Sequence, residues 1–405
     1  MTTLRLAILL FAALTTAFKA QIHIGWAEAA LDAKTFAKLP AIPKDNGNAI
    51  QATEFKDPLM LTALAINGNN QTAVFLSCDL IHVPDNLVQN IIDQAKRSSP
   101  KLEQATFVIS ATNNQTGIDP NDPEIREILA KTAVKTIADS VRNLAPGAIA
   151  QGAGYAVLAH NANPRNDKDF QGYESPSDHL ARFLFTYQEN RLTGVVVNLP
   201  CPASCSENSS EISADFWHDV RQAIRDHVGA PIPILTQTAA ANDATPIVSH
   251  YKKAQDRRLK LKFGKDTRHD LALRKDLAQL VLNAFVETKA WTEKKIEDAP
   301  GFACESIAVD DLKLSTVVVG NAAFASNPFK IDTDYMHRIQ ARSPFENTFV
   351  VQQANGYAGP LPTERTFDQT PAASVPKEMG QKIVNATIES LRALRKSIQP
   401  QEKKQ

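Results

Sequence analysis

Two apolar runs separated by a short polar break occupy residues 60–78, MLTALAINGNNQTAVFLSC. The break begins with Asn67-Gly68, and an Asn-Gly pair followed by polar residues between two apolar runs is typical of a tight β-hairpin. Neither run contains a charged residue. We therefore predict two adjacent antiparallel strands, at residues 60–66 and 73–78.

Strand-like and helix-like runs alternate along the rest of the chain. A second hairpin is expected around Asn190, between residues 180–187 and 192–198. Apolar residues at a 3.6-residue period predict helices over 84–95, 123–144, 215–228, 271–285 and 379–394. Further strands are expected at 107–109, 233–235, 314–319 and 348–351. Because no repeat period occurs, the pattern predicts an α/β protein with mixed sheets and flanking helices.

Composition narrows the class of protein. The chain has 405 residues, with 44 Lys+Arg and 44 Asp+Glu, so its formal net charge is zero. A neutral chain has no overall electrostatic attraction to nucleic acid or to anionic lipid, so we expect no nucleic-acid partner. The 43% hydrophobic content is ordinary for a globular protein. We expect one domain over residues 21–398 and a disordered tail over 399–405.

The first twenty residues resemble a secretory signal. Arg5 precedes nine apolar residues at positions 6–14, and small residues follow at 15–17 and 20. Nine apolar residues are too few for a membrane-spanning helix, which needs about 20. We predict that residues 1–20 form a signal peptide and that the mature protein is exported, either secreted or periplasmic. No later run of 18 apolar residues occurs, so we expect no transmembrane span.

The cysteines and histidines indicate neither a disulfide scaffold nor a metal site. Four cysteines are too few for a disulfide scaffold. Cys201 and Cys205 share a Pro- and Ser-rich loop, and the sequence allows them to be either a disulfide or two free thiols. Cys78 and Cys304 lie in strand-like runs and are predicted to be buried thiols. No two of the nine histidines are spaced i, i+2 or i, i+4, so spacing alone predicts no metal site.

A basic stretch stands out at residues 252–275. It carries ten Lys/Arg against three Asp. One interpretation is an anion-binding patch, whose mark would be a steep salt dependence of binding. The other, which we favour because aromatic residues are scarce here, is a solvated insert that leads into the helix predicted at 271.

Several segments, taken in order, resemble the catalytic region of the neutral ceramidases. The matching segments include DPL at 57–59, SCDLI at 77–81, ISAT at 109–112, ISAD at 212–215, ARSPF at 341–345 and ANGY at 354–357. Their collinear order covers residues 22 to 395. The resemblance implies a ceramidase-like α/β domain, without that family's C-terminal immunoglobulin-like domain. It also implies zinc-dependent hydrolysis of the N-acyl amide bond of ceramide.

The resemblance also implies where the zinc ligands would lie. The family's Thr-His-Thr-His-Ser-Gly appears here as TNNQTG at 112–117, which places Asn113 and Gln115 at its two histidines. The second ligand, in Cys-His-Pro, falls on Pro202, and the carboxylate of Gly-Glu-Pro-Phe falls on Asn327. Tyr357 stands where the family has its phenol ligand. Zinc sites are built from imidazole, thiolate or carboxylate groups, so we predict that no zinc and no other cofactor is bound.

Three functional hypotheses follow. The first is an exported ceramidase-like protein that has lost its amidase activity and acts as a binding or scaffolding protein, with a neutral polar or lipid-like ligand; its oligomeric state is open. The pocket candidates are Asn113, Asn114, Gln115, Pro202, Asp243, Asn327 and Asn355, because amides both donate and accept hydrogen bonds. The alternative is that these side chains bind no ligand and only fill a former metal cavity.

The second hypothesis is an active hydrolase of an N-acyl amide or ester bond. Thr245 falls near the family's catalytic serine, and Thr245 or Tyr357 would then work with Asp243 without zinc. Its weakness is that no histidine in the same motif serves as the base.

The third hypothesis, an anion binder through the basic stretch 252–275, is the least favoured.

Overall fold

The computed structural model of the protein describes residues 21–44, 48–162, 173, 175–248, 251–367 and 375–399. The predicted signal peptide, residues 1–20, lies outside the described residues, as does the predicted tail from residue 400 onward. Within the described residues the chain forms seven α-helices, two three-residue 3₁₀-helices and twenty strands, several of the strands only two or three residues long.

The helices are α1 Asp85–Ser98, α2 Pro123–Arg142, α3 Phe216–Val228, α4 Lys252–Phe263, α5 His269–Thr292, α6 Thr333–Arg342 and α7 Met379–Ile398. The strands are β1 Ile22–Leu31, β2 Ala41–Pro43, β3 Ala49–Gln51, β4 Glu54–Phe55, β5 Leu59–Gly68, β6 Gln71–Cys78, β7 Thr106–Ala111, β8 Ala145–Tyr155, β9 His160–Asn161, β10 Leu180–Gln188, β11 Arg191–Leu199, β12 Glu211–Ile212, β13 Ile234–Thr238, β14 Ala244–Thr245, β15 Phe302–Val309, β16 Leu312–Val319, β17 Ala322–Ser326, β18 Lys330–Ile331, β19 Asn347–Val351 and β20 Pro360–Leu361.

Two large sheets organise the fold. The first has eight strands in the order β13-β11-β10-β8-β1-β5-β6-β7, and the second has four in the order β15-β16-β17-β19. Strand β1 pairs with β5 along most of its length but with β8 at only three positions, Ile22 to Ile24. The eight-stranded sheet therefore consists of two four-stranded halves joined by a narrow seam.

Both predicted hairpins are confirmed. Strands β5 and β6 pair up to Gly68 opposite Gln71, and the two turn residues, Asn69 and Asn70, have φ of 49° and 60°. Strands β10 and β11 are joined in the same way by residues 189 and 190, with φ of 50° and 62°. Positive φ at both turn positions matches the right-handed twist of the flanking strands, and asparagine tolerates it well.

The core has layers of helix, sheet, sheet and helix. Apolar side chains from both halves of the large sheet meet those of the small sheet in one cluster, where Phe324 lies between Phe75 and Phe349 at ring-centroid distances of 4.8 Å and 4.5 Å. Helices α1 and α2 cover one half of the large sheet, and α3 and α5 cover the other. Helices α6 and α7 cover the small sheet. The predicted fold class is confirmed.

Some elements were not predicted. Strand β8 contains Gly152 and Gly154, which look like strand breakers, yet a Cβ at either would lie within 2.9 Å of α5 atoms. These glycines instead allow α5 to approach the sheet closely. Helix α4 occupies the first half of the basic stretch 252–275. It was missed because only Gln255 and Leu259 of its residues are buried, so it has no apolar stripe.

All four cysteines are free thiols, and all are buried. Cys201 and Cys205 therefore form no disulfide in the structure, and Cys78 and Cys304 are buried as predicted. Burial raises the pKa of the Cys201 and Cys205 thiols, which keeps both protonated and unreactive at neutral pH. No helix in the described ranges is both long and apolar enough to cross a bilayer.

Candidate functional site

The nine site candidates lie just beyond the carboxyl ends of parallel strands. Three parallel pairs occur in the two large sheets: β6 with β7, β11 with β13, and β17 with β19. Ligands of α/β proteins commonly bind beyond such strand ends. Asn113, Asn114 and Gln115 follow β7, Pro202 follows β11, Asp243 and Thr245 lie after β13, Asn327 follows β17, and Asn355 and Tyr357 follow β19.

Hydrogen bonds between backbone atoms hold these loops together. The Gln115 amide donates to the Ala203 carbonyl at 3.0 Å, which joins the loops after β7 and β11. The loop after β19 meets the loop after β17 where the Ala354 amide donates to the Asn327 carbonyl at 2.9 Å. The loop after β19 also meets the end of β7, where the Ala111 amide donates to the Gln353 carbonyl at 3.3 Å. Chain segments far apart in sequence are therefore fixed as one site.

A cleft of about 380 Å³ opens among these loops. Three of the candidates line it: Gln115, Pro202 and Thr245. Ser204 and Asn242 add a hydroxyl and an amide, while Glu207 and Lys330 add one charge of each sign. The structure thus brings residues from three different loops to one polar cleft, of a volume that fits a small ligand.

Two neighbouring asparagines behave differently. The Asn113 side chain is fully buried, its Oδ1 accepts from Gln115 Nε2 at 3.2 Å, and its Nδ2 has no hydrogen-bond partner in the described part of the chain. Both ends of the Asn114 amide are engaged: Nδ2 donates to Ser213 O at 2.7 Å and Oδ1 accepts from the Thr116 amide at 3.1 Å. Asn114 therefore holds the loop, and Asn113 has a free donor.

Further buried amides, which no sequence motif indicated, lie at the same strand ends. Each is at most 1% exposed and has at least one polar atom without a partner among the described residues: Asn198, Gln237, Gln352 and Gln353. Asn198 and Gln237 are register partners in β11 and β13, and Asn198 Nδ2 donates to Val350 O at 2.9 Å. Because buried polar groups need partners, ordered water or a polar ligand is expected here.

Three of the four positions that the resemblance assigns to zinc carry side chains that do not fit that metal, and only Tyr357 keeps the expected residue type. Asn113 presents an N–H donor, Pro202 has no side-chain donor atom, and Asn327 Oδ1 accepts from the Phe329 amide at 3.0 Å. Zinc requires imidazole, thiolate or carboxylate ligands. Within the ranges that the structure describes, no group of three or more His, Cys, Asp or Glu side chains is placed to hold a metal.

Asn355 and Tyr357 lie apart from the cleft. Asn355 Oδ1 accepts from the Ile109 amide at 2.9 Å and its Nδ2 donates to Phe107 O at 2.8 Å, so its side chain pairs with β7 as a strand would. Asn355 lines a different cavity, of about 460 Å³, beside α1. The Tyr357 ring stacks on His82, with ring centroids 4.7 Å apart.

Asp243 anchors the loops around the cleft. Its side chain is 3% exposed, and its Oδ2 accepts from Asn161 and Ser175 at 2.9 Å and 2.7 Å. Its Oδ1 accepts from the backbone amide and the hydroxyl of Thr333, at 2.9 Å and 2.7 Å. With four donors on its two oxygens, Asp243 is a structural carboxylate and is poorly placed to accept a proton from Thr245.

A second buried carboxylate, Asp332, lies next to Asp243. It accepts from Asn242 Nδ2 at 2.7 Å and from the Thr363 amide at 2.8 Å. Burial, together with the negative charge of Asp243, raises the pKa of Asp332 to about 7. Because Asn242 lines the cleft, the protonation of Asp332 acts on one wall of the site.

Asp332 should make stability depend on pH. The folded state keeps this proton up to about pH 7, whereas the unfolded chain releases it near pH 4, so the contribution is favourable at low pH and is lost as pH rises toward 7. Between about pH 5 and about pH 8 the loss should be about 2–3 kcal/mol, because each pH unit up to the folded pKa contributes about 1.4 kcal/mol. Urea unfolding at about pH 5 and about pH 8 should show that Asp332→Asn lacks this decline.

The matched control is Asp310→Asn, which removes a half-exposed carboxylate and should keep the wild-type pH dependence. His160 acts with the opposite sign, because burial and His179 lower its pKa, but this effect is common to all three proteins and cancels in the comparison. An unchanged pH dependence in Asp332→Asn would contradict the assignment.

Comparison with known proteins identifies the fold. Neither a protein-family model nor a curated protein sequence matches the chain. Among solved structures, a ceramidase complexed with C2 superposes with a TM-score of 0.71 at 11% identity, covering 95% of this chain and 77% of that one. The neutral ceramidase from Pseudomonas aeruginosa superposes with a TM-score of 0.72 at 11% identity, covering 94% and 76%. The chain therefore has a ceramidase-like α/β fold.

Proposed function

We propose that this protein is an exported ceramidase-fold binding protein that has lost zinc-dependent amidase activity. Its ligand is a neutral polar or lipid-like molecule, held in the cleft of Gln115, Pro202 and Thr245. The observation that supports this proposal is that three candidates from three loops line one cleft whose other polar groups are an amide, a hydroxyl and one charge of each sign. Such a set favours a neutral ligand that both donates and accepts hydrogen bonds.

The absence of suitable zinc ligands at Asn113, Pro202 and Asn327 separates this proposal from an amidase. The ceramidase-like fold supports the choice of a lipid-like amide as the first probe. A short-chain ceramide is suitable because it combines an amide with hydroxyl groups and dissolves better than long-chain lipids. Residues 1–20 would direct export and be absent from the mature protein.

Calorimetric titration of the mature protein with short-chain ceramide should give binding heat, while product analysis shows no released fatty acid. Gln115→Ala should weaken binding by about 5- to 10-fold, since a net hydrogen bond contributes about 1 kcal/mol. The matched control is Gln279→Ala, which truncates an exposed glutamine on α5 and should bind like the wild type. Equal affinity in both variants would contradict binding in this cleft.

One observation favours the alternative of an active hydrolase. His160 lies directly opposite Thr245 in the antiparallel ladder of β9 and β14, a pairing that brings Cβ atoms to about 4.5–5.5 Å. Burial, and the nearby His179, lower the pKa of His160, which keeps it neutral and able to accept a proton. Thr245 Oγ1, however, accepts from the Ile247 amide at 3.2 Å.

Mass spectrometry of incubated short-chain ceramide distinguishes the two functions. The hydrolase alternative requires fatty acid release that falls by about 10²-fold or more in both Thr245→Val and His160→Gln. The binding proposal predicts that the wild type and both variants bind the ceramide and release no fatty acid.

A further inference from the structure

Helix α4 combines positive charge with exposed apolar side chains. It carries six Lys/Arg and one Asp. Three of its cations are used within the fold, since Arg258 and Lys262 pair with Asp276 and Lys260 pairs with Asp256. The other three are exposed and make no ion pair within the described ranges of the chain: Lys252, Lys253 and Arg257.

Two of these three cations share a face of the helix with an exposed apolar side chain. Leu261 is 82% exposed, and Tyr251, at the start of the helix, is 65% exposed. Lys253, Arg257 and Leu261 follow one another at four-residue intervals, so they share one face of α4. The opposite face is fixed to the protein through Leu259, which is buried. The charged and apolar face is therefore held outward.

An apolar groove continues this surface into the protein. It has a volume of about 400 Å³ and lies between α4 and α5. Tyr251, just before α4, and Ala254 of α4 line it together with Leu277 and Leu280 of α5. The apolar surface of α4 thus extends from the exposed Leu261 and Tyr251 toward the groove.

We propose that α4 docks the protein onto the surface of an anionic lipid bilayer, with Lys253 and Arg257 against the headgroups and Tyr251 and Leu261 inserted at the interface. The chain as a whole is neutral, so this segregated charge would orient the protein rather than attract it uniformly. Basic side chains are attracted to anionic leaflets, and aromatic and leucine side chains favour the interface. The apolar pair favours a bilayer over nucleic acid, whose surface offers no hydrocarbon.

Vesicle co-sedimentation of the mature protein tests this proposal. Vesicles of phosphatidylcholine mixed with phosphatidylglycerol should bind the protein, pure phosphatidylcholine should bind it at least about tenfold more weakly, and added salt should release it. The charge variant K253Q/R257Q should bind the mixed vesicles at least about tenfold more weakly. Its matched control, K34Q/K38Q, removes two exposed lysines elsewhere and should bind like the wild type.

A second variant, Y251S/L261S, keeps every charge and removes the two apolar groups. It should also bind mixed vesicles at least about tenfold more weakly, because insertion contributes to binding. If it binds like the wild type, or if heparin binds as tightly as the vesicles, α4 is a general polyanion patch and the proposal is wrong. Equal binding to pure phosphatidylcholine, or equal loss in the control variant, would also overturn it. Circular dichroism of each variant checks that it remains folded.

Discussion

Replacing Arg221 with alanine is expected to lower the free energy of unfolding by about 3–5 kcal/mol. Arg221, on α3, is 3% exposed and binds the carboxylate of Asp79 through two hydrogen bonds, of 2.7 Å and 2.8 Å. Asp79 is fully buried at the end of β6. Removing the arginine would leave this negative charge buried without its partner, which is much more costly than losing an exposed pair.

The same ion pair supports the candidate site. Asp79 also accepts from the Met60 amide at 2.8 Å, and the Asp79 carbonyl accepts from Asn114 Nδ2 at 3.2 Å. Arg221→Ala should therefore loosen the loop that carries Asn113 and Gln115. Urea unfolding measures the effect, with Arg142→Ala as the control, because Arg142 is 73% exposed and its pair with Asp139 should contribute less than about 1 kcal/mol. If the two variants lose similar amounts of unfolding free energy, the buried ion pair contributes no more to stability than the exposed one.

Restoring zinc-binding side chains is also expected to have a large effect, on the affinity for Zn²⁺. The triple variant Asn113→His, Pro202→His, Asn327→Glu is expected to bind Zn²⁺ at least about 10³-fold more tightly than the parent, equivalent to about 4 kcal/mol. Two imidazoles and a carboxylate are a sufficient ligand set for zinc. The physical basis is that backbone hydrogen bonds join the loop of Asn113 directly to the loop of Pro202, and join it to the loop of Asn327 through the loop after β19.

Calorimetric zinc titration of the folded variant measures this gain. The single variant Asn113→His is the control, because one imidazole does not hold zinc tightly. A triple variant that folds but binds zinc no better than the single one would show that the three positions do not share a site. The assignment of Asn113, Pro202 and Asn327 to ligand positions would then be wrong.

Local sequence patterns predicted most of the fold. The hairpin around Asn69 and the helices at 85–98 and 123–142 follow from turn chemistry and from apolar period, which depend on near neighbours. Strand β8 and helix α4 were missed because their reasons are not local. Gly152 and Gly154 in β8 are explained by the approach of α5, whose contacting residues lie 130 or more positions later in the chain.

The candidate site was predicted less completely. The order of motifs placed Gln115, Pro202 and Thr245 near one another, and the structure brings them to one cleft. The sequence did not indicate that the Asn355 side chain pairs with β7, or that His160 lies opposite Thr245, because both depend on contacts between distant segments. Residue type alone does not distinguish an amide that completes a loop from one that is available to a ligand.

The most direct test of the proposed function is the zinc content of the purified mature protein, measured by elemental analysis and followed by calorimetric titration with added Zn²⁺. We predict zinc well below one equivalent and no binding heat, since Asn113, Pro202 and Asn327 offer no suitable ligand. Stoichiometric zinc that survives dialysis would contradict it. That result would make N-acyl amide hydrolysis the function to assay.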